Sequence, residues 1–493
     1  MTQAGAPPPG RNEEGRSREE ALAGRGRRVV IVGAGITGLA CAWRLSEVAR
    51  ERALSLDLAL LEAAERPGGV IATERSDGFL IEGGPDNFIS EKPWALDLCR
   101  RLGLEDQILG TNPHCRRSFV ARDGGMKPVP EGYQLMAPSR ILPFVATRAL
   151  SLRGKARAAC DLVLPRGPQV PDESLASFVT RRFGREALER LAQPLIAGIY
   201  HADPERLSLR ATFPRFLEME RAHRSVILAL VRGRRRSGAS GRGVSGARYS
   251  LFVTLRDGLQ VLVDRLAARL PPGALRLGER VMSLERRGPG WLVATQTGDR
   301  LPADAVVLAL PAHAIGSILR DVDAGLAADL RAIPYGTSIT VSLGYRRADV
   351  PHPLDGFGFV VPRAEKRALV ACSFSSVKYP GRAPEGAVLL RAFIAGPAAG
   401  AAETATPERR ARDELRDILG VTAPPLCART WVWPRSMAQY DVGHLERVAG
   451  IDARLARLPG LHLAGNGLRG VGVPDCVRGG EAAAEAVAAG WAP

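Results

Sequence analysis

Gly33, Gly35 and Gly38 are spaced as G-x-G-x-x-G; a short β-branched apolar run from Val29 to Val32 precedes them, and Leu39, Ala42, Trp43 and Leu45 follow at helical spacing. A strand, a tight glycine turn and a helix in that order suit a dinucleotide pyrophosphate. Gly33 serves the tight turn, Gly35 the approach of backbone to phosphate, and Gly38 the close packing of helix on strand. The helix start adds free N–H groups and the positive end of its dipole. A second strand-like run, Leu56 to Leu61, ends in Glu62, 24 residues after Gly38, a separation suited to binding a ribose hydroxyl. Arg66-Pro67-Gly68-Gly69 comes next and offers a second phosphate contact, where a nicotinamide dehydrogenase usually runs on into a plain helix. These residues point to flavin adenine dinucleotide (FAD), bound early in the chain.

The elements that must position this cradle return late in the sequence. Ala305 to Leu310 is an unbroken apolar run ending at Pro311, the pattern of a strand covered on both faces, and reads as part of the first sheet. Gly460 to Asn466 reads as another strand running into a Gly-rich turn. Gly470 to Cys476 and an Ala-rich helix to Ala489 then supply a second helix N-terminus, suited to the polar edge of a flavin ring. Residues 71–90 read as a strand pair closing on Gly83-Gly84-Pro85, where backbone can lie against a flat ring. Alternating segments at 337–346, 357–362, 368–375 and 387–395 predict a second, mostly antiparallel sheet, followed by a helix at 407–419. From 140 to 232 the pattern is helical, interrupted by prolines.

The fold class expected is therefore α/β plus α+β. A discontinuous Rossmann-like FAD-binding domain takes 27–90, 250–320 and 455–490, and an antiparallel-sheet substrate domain takes 114–139 and 321–454. A helical, membrane-associating domain takes 91–113 and 140–231; residues 1–26 form a disordered tail and 232–249 a basic Gly/Ser-rich linker.

Composition narrows the function classes. At 493 residues, two or three domains are expected. The net charge of +16 fits an anionic surface or an acidic substrate, and no zinc knuckle, helix-turn-helix or aromatic-interleaved basic motif accompanies it, so nucleic acid is not expected. Seven scattered cysteines without a C-x-x-C fit a reducing compartment rather than a disulfide framework. No run reaches the roughly 20 apolar residues of a spanning helix. Residues 137–145 are apolar and flanked by Arg148, Arg153, Lys155 and Arg157; the stretch reads either as a core-facing helix or as one resting on lipid. His201, His313 and His462 each sit singly among apolar neighbours and read as packed side chains. No Ser/His/Asp, paired-carboxylate or metal constellation is found, and no acid–base residue is nominated.

Three further stretches carry a resemblance: Pro194 to Ser208 (PLIAGIYHADPERLS), Asp355 to Pro362 (DGFGFVVP) and Gly470 to Cys476 (GVGVPDC). With the nucleotide-binding start, they make residues 27–490 similar to oxygen-dependent protoporphyrinogen oxidases, an FAD-containing group of the monoamine-oxidase-like flavoproteins. The resemblance implies non-covalent FAD, with Gly33, Ala34, Gly35, Ile36, Thr37 and Gly38 at the pyrophosphate, Glu62 at the ribose with Ala63 beside it, and Arg66, Gly69 and Val70 along the cofactor. It implies Gly84, Pro85, Asp86 and Asn87 beside the isoalloxazine, Val281 at the adenine, and Trp433, Asn466, Val471, Gly472 and Val473 around the far flavin edge. For substrate, Arg117 would face a propionate, and Gly198, Val360 and Tyr379 would line the ring cavity.

The activity implied is oxidation of protoporphyrinogen IX to protoporphyrin IX with O2 as acceptor and H2O2 released. Coproporphyrinogen III is the alternative substrate, and another amine oxidase or desaturase the more distant one. A cytoplasmic enzyme at the inner face of the cell membrane, a homodimer, and hand-over of product to a ferrochelatase are the partner expectations that come with the resemblance. Pro474 departs from the group's usual Asn and removes a donor near the flavin, and His201-Ala202-Asp203-Pro204 stands where Ala-Gly-Asp-Pro is usual.

Overall fold

A computed structural model describes residues 26–168, 170–200, 202–239, 251–395 and 405–491. The expected tail up to residue 25, His201, and the linker from residue 240 onward lie outside the described residues.

The apolar runs of the sequence assemble into a five-stranded parallel sheet in the order Leu275–Arg276, Leu56–Leu61, Arg27–Val32, Ala305–Ala309, Leu461–Ala464. Val30 lies opposite both Ala59 and Val306, so segments nearly 280 residues apart share one register. Both faces are covered, which is why the strands are apolar throughout rather than alternating. Val29, Ile31, Leu58, Leu60 and Val307 point into one core with Leu39, Trp43, Val477 and Val487. Val30, Val32, Leu61, Val306 and Leu308 point into another with Trp291, Val293, Ile315 and Leu326. The first helix, Ile36–Glu51, and the C-terminal helix, Val473–Ala489, cover the first face. They cross closely at Gly480, where a Cβ would meet the Thr37 carbonyl oxygen at 2.2 Å. A meander of Val281–Arg287, Gly290–Thr295 and Arg300–Ala303 covers the other face, with helices Ala312–Ile318 and Ala324–Arg331.

The second sheet has seven strands in the order Cys427–Ala438, Tyr335–Arg346, Ala387–Ile394, Leu369–Phe374, Gly358–Val360, Phe119–Arg122, Gly125–Pro128. Every pairing is antiparallel except that of Gly358–Val360 with Phe119–Arg122. Helix Pro407–Leu419 packs on it through Ala411, Leu415 and Leu419. A third core joins the helices between 141 and 239 through Phe144, Phe178, Phe183, Leu191, Phe216 and Ile227. Inside it Arg182 and Asp161, both fully buried, form an ion pair that Glu220 joins at 3.3 Å.

Several expected boundaries shift. Helix Trp94–Arg101, assigned to the helical domain, instead buries Leu96, Leu98 and Cys99 in the core of the parallel sheet. Leu326, Leu330 and Ile451, assigned with the substrate domain, likewise pack against that sheet. An amphipathic helix buries its apolar stripe on the nearest open face, whatever the chain order. The hairpin Thr73–Ser76/Phe79–Glu82 packs Phe79 and Ile81 against Leu389 and Cys427 of the second sheet. The basic segment expected as a linker from 232 continues helix Val226–Ala239 as far as Ala239. The long strand Cys427–Ala438 adds an element within 420–454, where the sequence pattern assigns the substrate domain but no secondary structure.

Candidate FAD site

Each glycine of the opening motif has a different surrounding. Gly33 has φ +99° and turns the chain beneath Ala309, whose carbonyl oxygen a Cβ would meet at 2.6 Å. Gly38 lies so close to the strand that a Cβ would fall 1.8 Å from the Gly33 carbonyl oxygen. At Gly35 a Cβ would meet nothing of the protein within 4 Å. Gly35 is also the N-cap of the first helix, with no side-chain cap and no acid in the first turn, where Ile36 and Thr37 follow. Turn, packing and open approach thus fall on the three positions as the motif requires.

Glu62 closes this end. One carboxylate oxygen accepts from the Ala34 amide at 2.7 Å and the other from the Ala64 amide at 3.0 Å. Ala63 beside it is exposed. The Glu279 amide donates to the Glu62 carbonyl at 2.8 Å, which brings the start of the Val281 strand to the same end. Gly68 pairs with Gly35 as an isolated bridge, and Gly69 lies against the Gly35 Cα. Arg66 folds back on its own turn, donating to the Gly69 carbonyl at 2.6 Å and the Ile71 carbonyl at 2.9 Å. Its guanidinium lies 5.8 Å from the Trp433 ring centroid, and burial lowers its pKa against the pull of Glu62.

Beyond Gly69, Val70 is exposed, and a Cβ on Gly84 would fall 1.7 Å from the Val70 carbonyl oxygen. Gly83 to Asn87 form no ladder after the Phe79–Glu82 strand. The Gly83 carbonyl instead accepts from Trp433 Nε1 at 2.9 Å and Thr340 Oγ1 at 3.1 Å. Trp431 stacks on Trp433 with centroids 5.6 Å apart, and its ring lies where a Cβ on Gly83 would be.

The turn from Asn466 to Val473 is the one expected at the far flavin edge. Asn466 accepts from the Tyr335 hydroxyl at 3.2 Å and donates to the Ser436 carbonyl at 2.8 Å. Val471 and Gly472 lead into the C-terminal helix, whose N-cap is Gly472 and whose first helical residue is Val473, again without a side-chain cap. Pro474 lies in that first turn, where its missing N–H breaks no helical bond, so the departure costs the helix nothing. Cys476 is buried, and burial lifts its thiol to about 11. His313 packs edge-on to Tyr335, and burial lowers its pKa, with Arg435 adding to the shift.

An uncapped helix start, an open Gly35 and the Glu62 carboxylate at the Ala34 amide stand together, and these residues fit the cofactor. Gly33 to Gly38 would hold the pyrophosphate and Glu62 the ribose.

The sequence profile of the flavin-containing amine oxidoreductases matches residues 36–488. The chain belongs to that family. It is an FAD-dependent oxidoreductase. It is 36% identical over 465 residues to the coproporphyrinogen III oxidase of Bacillus subtilis (strain 168), covering 93% of this chain and 97% of that one. It is 30% identical to the chloroplastic protoporphyrinogen oxidase of Oryza sativa subsp. japonica over 93% of this chain and 88% of the other. A solved structure from Exiguobacterium sp. 255-15, named for protoporphyrinogen oxidase, superposes with a TM-score of 0.80 at 29% identity, over 94% of this chain and 99% of that one.

The expected substrate residues do not form one group. Gly198, on helix Gln193–Tyr200, faces Val360, whose Cγ1 lies 3.4 Å from a Cβ built on the glycine. A π-helical turn, Leu188–Ala192, precedes that helix, and Pro194 has no N–H for an ordinary i−4 bond. Arg117 is exposed at the edge of the second sheet and pairs with Asp355 at 3.0 Å. Tyr379, expected to stack on a pyrrole, is only 1% exposed. It lines a closed polar pocket with Glu82, Asp86, Arg382 and Arg391, because helix Ser375–Lys378 turns it inward toward the Gly83–Asn87 side. The sequence reading missed Trp431, Thr340, Tyr335, Tyr440, Lys378 and Arg391. For Arg391 a signal existed: one charge in an otherwise apolar strand, Ala387–Ile394.

Proposed function

We propose that this enzyme oxidises a porphyrinogen to the porphyrin, with O2 as the final acceptor, and that coproporphyrinogen III is its preferred substrate. The observation that carries the reading is the uncapped helix start at an open Gly35, found in a chain that also holds the Gly198–Val360 contact of the motif that first suggested a porphyrinogen. Bound FAD supplies the redox chemistry, accepting electrons from the substrate's methylene bridges and passing them to O2.

The chain's own part is binding and orientation. The first helix and Glu62 fix the adenosine half, while the Gly83–Asn87 and Asn466–Val473 turns bracket the ring half. Arg117 already holds a carboxylate, that of Asp355, so a propionate can take the aspartate's place without a new geometry. Arg363, paired at 3.5 Å with Asp203, and Arg116 are also exposed near the ends of the strands beside Val360. Basic side chains at both ends favour the substrate with four propionates over the one with two. The 36% identity to a coproporphyrinogen III oxidase, against 30% to a protoporphyrinogen oxidase, supports the same choice.

Side-by-side aerobic turnover of coproporphyrinogen III and protoporphyrinogen IX, followed by porphyrin fluorescence, tests this. A higher kcat/KM for coproporphyrinogen III is expected; a preference for protoporphyrinogen IX overturns the substrate choice, and no turnover of either overturns the function.

We also propose that the enzyme rests on anionic lipid. No helix among the described residues is long and apolar enough to cross a membrane. In the 137–145 stretch and its neighbours, Phe144 is buried, whereas Leu142 is 83% and Leu152 82% exposed, with Val145 and Val163 also outward. Arg153 beside them is exposed too. Co-sedimentation with phosphatidylglycerol vesicles at low salt is expected, and Leu142→Ser/Leu152→Ser should weaken it; equal sedimentation of both proteins would contradict the proposal.

A further inference from the structure

The turn from Gly83 to Asn87, expected beside the isoalloxazine, has little backbone pairing of its own, so its position depends on side chains from the second sheet. Trp433 and Thr340 hold Gly83. The next three residues are held by charge. Arg391 Nη2 donates to the Gly84 carbonyl, and Arg391 Nη1 lies 3.5 Å from the Asp86 carboxylate. Lys378 Nζ lies 3.5 Å from the other oxygen of the same carboxylate. Burial alone would raise the Asp86 pKa, but Lys378 and Arg391 hold it below the usual carboxylate value. Asp86 then accepts from the Asn87 amide nitrogen at 2.6 Å. A carboxylate held ionised can only accept, so the Asn87 amide must turn its NH2 inward and its carbonyl oxygen away from Asp86.

Arg391 is 3% exposed, set in the apolar strand Ala387–Ile394. Replacing a buried ion pair of this kind whole by well-packed apolar side chains is often neutral or better, whereas Arg391→Met alone leaves Asp86 beside Lys378 and costs stability, so stability by itself does not explain the arginine. Its Nε and the Tyr379 hydroxyl are without partners, and both residues line a closed pocket of about 10 Å³ with Glu82, Ser342 and Ser375. That volume is about what one water molecule needs, and the polar lining gives such a water its partners.

We propose that the Arg391–Asp86–Lys378 cluster is a positioning device for FAD, acting through the Gly84 carbonyl and the Asn87 amide on the turn that faces the isoalloxazine. The cluster acts through the turn, with no direct contact of Arg391 or Lys378 with the flavin invoked. Its effect is to hold the Gly84 backbone against Val70 and to fix which end of the Asn87 amide the cleft sees. The proposal depends on FAD lying along Gly69 to Gly84, and does not depend on which porphyrinogen is oxidised.

The test compares wild type with Arg391→Met, Arg391→Lys and Lys378→Met. Three quantities are read: the FAD dissociation constant by flavin fluorescence, the midpoint potential of the bound flavin, and Tm with and without added FAD. A positioning role predicts at least a tenfold weaker FAD complex for Arg391→Met, a smaller FAD-dependent rise in Tm, a shifted midpoint potential, and partial recovery in Arg391→Lys. A purely structural role lowers Tm equally with and without FAD and leaves the dissociation constant and potential unchanged; that result overturns the proposal. If Arg391→Met does not fold, Lys378→Met decides by the same readings, since it keeps the buried guanidinium. At least threefold weaker FAD binding is then expected, and unchanged binding overturns the proposal.

Discussion

The Ser208 amide donates to the Tyr440 carbonyl at 2.8 Å, and the hydroxyl of that tyrosine joins the two ends of the Asn466–Gly470 turn. It donates to the Asn466 carbonyl at 2.7 Å and accepts from the Gly470 amide at 2.6 Å. Ser208 also caps helix Leu209–Thr212 and donates to Asp172. The Asp203–Ser208 end of the motif that suggested the porphyrinogen oxidases therefore ties the helical region to the Asn466–Gly470 turn. Sequence showed the motif, and the structure shows what it is attached to.

Tyr440→Phe removes both hydroxyl bonds but keeps the ring, which stacks on His444 at a centroid distance of 3.9 Å. The Gly470 amide and Asn466 carbonyl lose a partner in a partly buried turn, so a loss of about 1–3 kcal/mol is expected in thermal or denaturant unfolding. FAD affinity should fall as well, measured by flavin fluorescence on titration.

Gly35→Ala and Gly38→Ala should separate cofactor binding from folding. A methyl at Gly35 meets no protein atom and its φ of −67° suits alanine, so stability without FAD should stay within about 1 kcal/mol of wild type while FAD binding weakens at least tenfold. A methyl at Gly38 would fall 1.8 Å from the Gly33 carbonyl oxygen, so this variant should lose roughly 3 kcal/mol or more. Paired melts and FAD titrations check both statements.

Glu82 gives a signed pH dependence. Burial, the largest influence, raises its carboxyl from an ordinary 4.5 to about 7, while bonds from Thr73 and the Leu259 amide, together with Arg382 and Arg391, pull the other way. The folded chain thus prefers the protonated group. Its contribution is fully present below pH 4.5 and is lost as the pH rises through 7. Glu82→Gln stays neutral, so the stability of wild type relative to this variant should fall by on the order of 3 kcal/mol between those pH values. Denaturant melts of both proteins across the range measure the difference.

Much of this architecture was legible because the parallel strands are unbroken apolar runs and the first glycine turn is contiguous in sequence. Arg27–Val32, Leu56–Leu61 and Ala305–Ala309 could be read as strands of one sheet for that reason. The supports of the flavin-side turn were not legible. Trp433, Thr340 and Arg391 come from three strands far from Gly83, and only the sheet order brings them there. Tyr379 failed differently. Its residue type suited stacking on a pyrrole, but the turn after Ser375–Lys378 points it into the closed pocket. The helical region gave its elements through periodicity but hid the charge at its centre.

Arg182→Met tests that centre. The guanidinium pairs with Asp161 and Glu220 and donates to the carbonyls of Pro165 and Arg224. Removing it leaves Asp161 buried with Ser225 and the Ile227 amide as its donors among the described residues. A loss of about 3–5 kcal/mol is expected in unfolding, with FAD affinity nearly unchanged in the protein that remains folded.

The central claim is that bound FAD takes electrons directly from a porphyrinogen. Anaerobic mixing of the holoenzyme with coproporphyrinogen III, followed at the flavin absorption band and then opened to air, tests it most directly. Bleaching of the flavin without O2 is expected, with its return on aeration as H2O2 forms and coproporphyrin accumulating over further turnovers. A flavin that stays oxidised with both coproporphyrinogen III and protoporphyrinogen IX would contradict it.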